Sequence, residues 1–305
     1  MTAVAAPTAA QAEQAAAGRR TGGGGRATTA SGWRRWLPYL GIAVLVAYCL
    51  APFYWMVVSS LRRPNDQFSN SVLPNPLSTD NYAAALSPAN GFLRGIVNSL
   101  VVAGTTTVVG LVIAIFTAYA LARLDFRFKN AALGIIIATS MFPGISMIVP
   151  LFKLFVQIGW INTYQAMIVP SMSFVLPLAV WNLTAFFRQM PYELEEAAQI
   201  DGCTPGQAFR KVILPLAAPG VFTTAIITFI AAWNEYIIAL SMVNNPAYKT
   251  APVIASQFAG QTGAGFDQPF GTQMAAGVIV TIPLVILVLL FQRRIVAGLT
   301  AGGVK

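Results

Sequence analysis

Two ionisable side chains fall inside stretches that are otherwise apolar. Lys153 lies within Ala131–Val156, and Glu235 within Gly220–Met242, in the run Trp233-Asn234-Glu235-Tyr236. Charges so placed usually face a bundle interior or a water-filled cavity, because lipid penalises them. Trp233 and Tyr236 offer stacking faces, and Asn234 and Glu235 offer directional hydrogen bonds, a set that suits a sugar. A structural polar contact, between subunits or with Lys153, is the alternative reading of the same residues. Asn98, Ser99 and Asn182 are isolated polar residues of similar placement, and such residues also tie helix to helix. Nothing around them forms a catalytic set. The chain has no histidine, which removes His-based metal sites and His general bases. No GxxxxGK[ST] phosphate loop occurs, so ATP binding by that motif is not expected. Ser-Lys proteolysis would need a serine beside Lys153, which the sequence alone does not place. Cys49 falls in an apolar stretch and Cys203 in a polar one, so no disulfide is expected. The chain reads as a non-enzyme with no catalytic residue, no metal and no cofactor of its own.

The polar chemistry is concentrated elsewhere, in a compact hairpin between two apolar stretches. Pro191 is expected at the first position of a helix, where its missing N–H costs nothing. Glu193, Glu195 and Glu196 then occupy the first turns, where the helix dipole favours negative charge. Leu194, Ala197 and Ala198 share a face by helical spacing, and Gly202 stands at the expected stop. Thr204-Pro205-Gly206-Gln207 reads as a second helix start with a capping box. Ala208, Phe209, Val212 and Ile213 form its apolar face, Arg210 and Lys211 suit its end, and Pro215 is expected to stop it. The alanine face permits close approach and Phe209 supplies a large anchor. A hairpin lying on the membrane surface is the simpler alternative, but such helices carry Lys and Arg around a broad Leu/Phe/Trp face. This first helix is acidic and alanine-rich, which favours contact with another protein.

The elements that carry these residues are apolar helices. Hydrophobic residues make up 56% of the chain and charged residues 10%, which argues against a soluble domain. Stretches of about 20 apolar residues, enough to cross a bilayer, run Pro38–Ser60, Ser99–Ala122, Ala131–Val156, Ala166–Phe187, Gly220–Met242 and Met274–Phe291. Pro143, Pro150, Pro170 and Pro177 interrupt the third and fourth, which neighbouring helices tolerate in a bundle. Six spans put both termini on one side. Arg19, Arg20, Arg26, Arg34 and Arg35, then Arg123, Arg127 and Lys129, then Arg188, Arg210 and Lys211, then Arg293, Arg294 and Lys305 all fall on that side, against Arg62, Arg63, Arg94 and Lys249 opposite. The positive-inside rule makes the richer side cytoplasmic, and the hairpin with it. Topology therefore explains the net charge of +9. A nucleic-acid partner would need a folded basic surface with aromatics, and none is visible.

Residues 1–32 are rich in Ala, Gly and Thr and read as a disordered cytoplasmic tail. No apolar stretch precedes Leu37, so a cleaved signal peptide is not expected. Trp33 and Trp36 look like interfacial anchors. The transmembrane domain is residues 33–305, with the hairpin at about 190–216, an external loop at about 244–271 and a cytoplasmic tail at about 292–305. The external loop holds Gln257-Phe258-Ala259-Gly260-Gln261-Thr262-Gly263-Ala264-Gly265, a hydrogen-bonding tip with an aromatic. It suits either a polar ligand or partner, or a plain connector.

Glu196-Ala197-Ala198, Asp201-Gly202, Phe209 and Leu214-Pro215-Leu216 resemble the EAA loop of permease subunits of bacterial ABC importers. Asn98-Ser99-Leu100, Ala118-Tyr119-Ala120-Leu121-Ala122-Arg123, Pro143, Pro150 and Trp233-Asn234-Glu235 narrow the likeness to the carbohydrate-importing, maltose-type permeases. The resemblance covers Leu37 to the end, and the tail 1–32 has no counterpart in it. It implies an all-α integral membrane protein of six transmembrane helices with a cytoplasmic coupling-helix hairpin, the type I ABC importer permease fold. It also implies partners: a second homologous permease, two copies of an ATPase carrying ATP and Mg, an extracytoplasmic sugar-binding protein or lipoprotein, and membrane lipid. Pro191–Leu214 would be the coupling helix fitting a cleft on the ATPase. Glu195, Glu196, Ala197, Ala198, Asp201, Gly202 and Phe209 would then be its coupling residues, with Glu196 paired to a basic group there. Asn98, Lys153, Asn182, Trp233, Asn234, Glu235 and Tyr236 are the substrate-pathway candidates, although in the maltose system the other permease holds the sugar. Phe258, Gly260, Gln261, Thr262, Gly263 and Gly265 would enter the binding protein's cleft. The C-terminal Gly298–Lys305 resembles the tail that contacts the ATPase interface. With Gln292–Ala297 before it, this end is similar to permeases of actinobacterial trehalose importers, which makes trehalose the expected sugar. A permease for glycerol phosphate would want a positive pore, where Lys153 stands alone. An ion-coupled transporter would want paired titratable groups and an internal repeat.

Overall fold

The computed structural model describes residues 36–67, 69, 71–258 and 270–301. Helix α1 is Leu37–Ser60. The described residues up to Phe53 fall in one compact unit, and those from Tyr54 onward in another. In the second unit the helices are α2 Asp80–Ala85, α3 Phe92–Arg123, α4 Lys129–Ser140, α5 Gly144–Gln157 and α6 Gln165–Gln189. The hairpin follows as α7 Glu193–Ile200 and α8 Pro205–Ala208. Then come α9 Ala218–Trp233, α10 Ile237–Met242, α11 Ala251–Gln257 and α12 Phe270–Ala301. Among the described residues four helices, α1, α3, α6 and α12, are long and apolar enough to cross a membrane unbroken.

The other two expected spans are broken. The third divides into α4 and α5, bent by 87°. Pro143 opens α5, because a proline donates no N–H and restricts the residue before it. The fifth stops at Trp233 and resumes at Ile237, with Asn234, Glu235 and Tyr236 in the break. No glycine or proline marks that break, so a hydropathy reading runs through it.

Helix α3 packs along α6, and α9 lies against both. Small residues make this close approach. Ala114, Ala118 and Ala122 recur every four residues on α3 and are buried against Ala179, Val180, Leu183 and Phe187 of α6. Small side chains let backbones approach, and dispersion then holds helices together where lipid gives no hydrophobic drive. The same cluster takes in Ile213 and Ala217, and Leu194 and Phe209 pack against it. The hairpin is thus built onto the bundle rather than suspended from it. The opposite face of α3 presents Val108, Val112 and Phe116 outward, again every four residues.

At the far end from the hairpin, polar side chains fasten the segment that follows α10. Asn98 donates from Nδ2 to the carbonyls of Ala247 at 3.0 Å and Lys249 at 2.8 Å, and accepts from Tyr164 Oη at 2.8 Å. Ser99 Oγ accepts from the Ala251 amide at 2.9 Å. Asn162 takes a positive φ of 63°, which asparagine tolerates, and its Oδ1 accepts from the amides of Asn244 and Asn245. Asn98, counted above with the pathway candidates, is therefore committed to backbone. Asn98→Leu should destabilise the fold by about 1–3 kcal/mol, since it strands buried carbonyls and the Tyr164 hydroxyl. Thermal unfolding of the detergent-purified protein checks this, and an unchanged midpoint would count against the fastening role.

One terminal expectation changes. The stretch from about 292, expected as a tail, is helical as far as Ala301 as part of α12. Residues 1–32 and 302–305 lie outside the described residues.

Candidate functional site

The hairpin is set by its turn. Gly202 has φ +88°, a left-handed conformation open to glycine. Its amide bonds to the Gln199 carbonyl at 3.0 Å, and the Cys203 amide reaches the Ala198 carbonyl at 2.9 Å. This pair of bonds is a Schellman closure, which satisfies the carbonyls left free at a helix end. Thr204 and Gln207 then form the expected capping box: Gln207 Oε1 accepts from the Thr204 amide at 2.9 Å, and Thr204 Oγ1 accepts from the Gln207 amide.

Both prolines work differently from expectation. Helix α7 begins at Glu193, so Pro191 lies outside it. Pro191 instead ends α6, because Met190 before it takes the extended conformation, φ −78° and ψ 136°, that a following proline imposes. Pro215 does not stop the second helix. Phe209–Ile213 widens into a π turn, with Leu214 N–H bonded to the Phe209 carbonyl, and helix continues through Leu214–Leu216. The wider turn accommodates a residue with no N–H to give. Pro205–Leu216 then meets α9 at a bend of 69°.

The seven candidate coupling residues divide into two groups. Glu195, Ala198 and Phe209 face inward. Glu195 Oε1 lies 3.1 Å from Arg123 Nε, with the Arg123 side chain only 1% exposed and that of Glu195 14%. Ala198 is buried. The Phe209 ring packs tilted against Tyr119 at 4.4 Å between centroids and against Phe116 at 5.8 Å. Glu196, Ala197, Asp201 and Gly202 are exposed. Ile200, absent from the sequence reading, is 87% exposed between them. This isoleucine is thus presented on a polar hairpin beside Glu196, Ala197 and Asp201. Arg123, Tyr119 and Tyr192 were likewise missed as site residues. Their partners lie some 70 positions away in sequence, so no local spacing reveals them.

The pathway candidates do not form one site. Trp233 is 1% exposed and stacks on Phe229 at 5.8 Å. Asn234 is exposed, and its Nδ2 donates to the Ile230 carbonyl at 2.8 Å. Glu235 caps α10, its carboxylate accepting from the amides of Ile238 at 2.7 Å and Ala239 at 3.1 Å. Tyr236 Oη meets Ser256 Oγ at 3.1 Å. Lys153 is exposed on α5 and makes no salt bridge with Glu235 among the described residues. Asn182 is half-buried on α6. A cavity of about 330 Å³ does border Glu235, with Ser171, Thr228, Phe174 and Ile145 in its wall. Trp233 thus cannot offer its face to a sugar in this arrangement, and Asn234 and Glu235 spend polar atoms on helix ends.

Phe258, expected in the contact loop, is buried at 1% exposure and meets Phe92 edge-on at 5.9 Å. Gly260, Gln261, Thr262, Gly263 and Gly265 lie outside the described residues. Among the described residues no cluster of His, Cys, Asp or Glu could hold a metal ion.

Apolar helices joined by a polar hairpin with one locked and one displayed face define a multi-pass membrane protein. Residues 110–300 match the family described as binding-protein-dependent transport system inner membrane component, and the chain belongs to it. It is 43% identical over 262 residues to a trehalose transport system permease protein of Mycobacterium tuberculosis, covering 86% of this chain and 94% of that one. It is 39% identical to a trehalose/maltose transport system permease protein of Thermococcus litoralis, covering 89% and 97%. Its fold matches a chain of a bacterial ABC transporter importing the polysaccharide alginate, with TM-score 0.71, 20% identity and coverage of 86% and 98%. The protein is a permease subunit of a sugar ABC importer, a transport component of the membrane.

Proposed function

We propose that this chain forms the translocation pore of a trehalose importer together with a second, homologous permease, and that its hairpin docks on ATPase subunits at the cytoplasmic face. The observation that carries this is the division of the hairpin. Its inner face is locked into the bundle, while Glu196, Ala197, Ile200 and Asp201 stand free on a rigid turn. ATP and Mg belong to the partner ATPases, and this chain binds neither. Both termini are cytoplasmic, by the distribution of Arg and Lys. Exposed Val108, Val112 and Phe116 on α3 meet lipid or the second permease. A sugar-binding protein delivers substrate from outside, and the segment 259–265 reaches it. Trehalose is favoured because the relatives just named as trehalose and trehalose/maltose permeases are 43% and 39% identical to this chain. A glycerol phosphate permease would want a positive pore, for which Lys153 is a single basic residue, and an ion-coupled transporter would want paired titratable groups, whereas Lys153 and Glu235 do not pair among the described residues.

The test is to purify the chain with its partners and assay ATP hydrolysis against a panel of sugars with the candidate binding protein. Co-purification of an ATPase stimulated only by the trehalose-loaded binding protein is the expected result. Stimulation by another sugar would keep the importer and replace the substrate. A chain that purifies alone and moves solute on an ion gradient would refute the docking role.

A further inference from the structure

The junction between the hairpin and α3 holds a cation with few partners. Arg123 is the last residue of α3. Its Nε lies 3.1 Å from Glu195 Oε1, and its guanidinium carbon sits 4.4 Å from the centre of the Tyr192 ring. Its Nη2 reaches the Pro191 carbonyl at 3.5 Å; its buried Nη1 has no hydrogen-bond partner among the described residues, and its Nε faces Glu195 Oε1 as an ion pair outside hydrogen-bond geometry. One turn earlier, Tyr119 Oη touches Glu195 Oε2 at 3.4 Å and its ring lies on Phe209. Tyr192 Oη donates to the Ala122 carbonyl at 2.9 Å. Tyr192, Glu195 and Phe209 of the hairpin thus grip Tyr119, Ala122 and Arg123, the closing turn of a helix that the chain left some 70 residues before.

We propose that Arg123 and Glu195 are positioning residues forming a latch, which makes the hairpin and α3 move as one body. The inference rests on the reading of the hairpin as the ATPase-docking element. If the hairpin shifted without α3, Arg123 would remain in an apolar site with no counter-charge, an outcome that costs far more than the net worth of the pair. The cation–π contact with Tyr192 does not replace a carboxylate, since a ring face attracts a cation more weakly. Displacement of the docking face therefore cannot be absorbed at this junction and passes into α3. From there it reaches α6 and α9 through the alanine seam of Ala114, Ala118 and Ala122. Chain connectivity already joins α7 to α6 through Met190–Pro191–Tyr192. The latch adds the link that connectivity does not supply.

The experiment uses the assembled complex in liposomes with its ATPase and binding protein, and measures ATP hydrolysed and trehalose accumulated in the same vesicles. R123A, E195A and the isosteric E195Q are expected to retain the ATPase and hydrolyse ATP, while sugar moved per ATP falls by about tenfold or more. The exchange R123E/E195R should recover a substantial part of that ratio, because a pairwise term survives exchange of its partners and a packing term does not. Single variants with an unchanged ratio of sugar to ATP would overturn the latch. So would variants that shed the ATPase whether or not the exchange is made, since the residues would then only build the hairpin. A wild-type complex that carries no ATPase would defeat the docking reading and the latch together. Intact wild-type coupling with indifferent variants removes the latch alone.

Discussion

Glu196→Lys is expected to abolish uptake while leaving the binding protein's affinity for sugar unchanged. Glu196 is exposed on α7 with no partner inside the described residues, so its reversal should not unfold the hairpin. Its carboxylate lies in the first turn, where the dipole favours it, and lysine there sets a like charge against the free amides. That local effect is below about 1 kcal/mol. The larger effect is at the partner. Losing one member of a desolvated charge pair costs about 2–5 kcal/mol, or about 30-fold to several thousand-fold in association. Retained ATPase on pull-down with normal uptake would refute the docking face. Loss of uptake with correctly inserted, trypsin-resistant protein supports it. The neighbouring Glu195 gives the internal contrast. Its replacement strands Arg123, so its effect arises within the chain and not across the interface.

Gly202→Val should uncouple or dismantle the complex, and for a reason that contacts do not show. A Cβ built at Gly202 meets nothing within 4 Å. The obstacle is φ +88°, which a β-branched residue resists. Strain of about 1–3 kcal/mol is expected even before the closure fails. When it fails, the bonds of the Gly202 and Cys203 amides to Gln199 and Ala198 are lost together. Helix α7 has only eight residues, and a helix so short depends on its ends. The expected signature is graded. Gly202→Asn should stay close to wild type because asparagine tolerates the left-handed region, Gly202→Ala should weaken assembly, and Gly202→Val should do most damage. Equal behaviour of Asn and Val, read by co-purification of the ATPase and by hydrogen exchange at 193–203, would show that the turn conformation does not matter.

The hairpin shows how far local chemistry reaches. Glu193, Glu195 and Glu196 at a helix start, Gly202 at its end and the Thr204–Gln207 box are legible because each is decided within four residues. Pro191 and Pro215 were misplaced by the same local logic. Proline's restraint falls on Met190 before it in one case, and in the other a π turn accommodates it. The substrate-pathway candidates show a different limit. Asn98, Trp233 and Glu235 were chosen for their chemistry, but their polar atoms or faces are consumed by backbone amides, distant carbonyls or a neighbouring ring. A sequence names a donor or acceptor without saying whether it is already taken.

The apolar runs and their punctuation determined by themselves that this is a helical membrane protein, roughly where its long apolar helices lie, and that a polar hairpin interrupts them. Those features follow from hydropathy over about 20 residues and from backbone preferences of single positions, both local quantities. The tertiary structure alone decided which coupling residues are locked and which displayed, and that Arg123 closes on Glu195. It also decided that Phe258 is buried and that the fifth span breaks at Asn234–Tyr236. Each of these depends on burial and pairing between helices far apart in the chain. Their energies are set by the neighbours that exclude water and supply a counter-charge, and no window of sequence contains those neighbours.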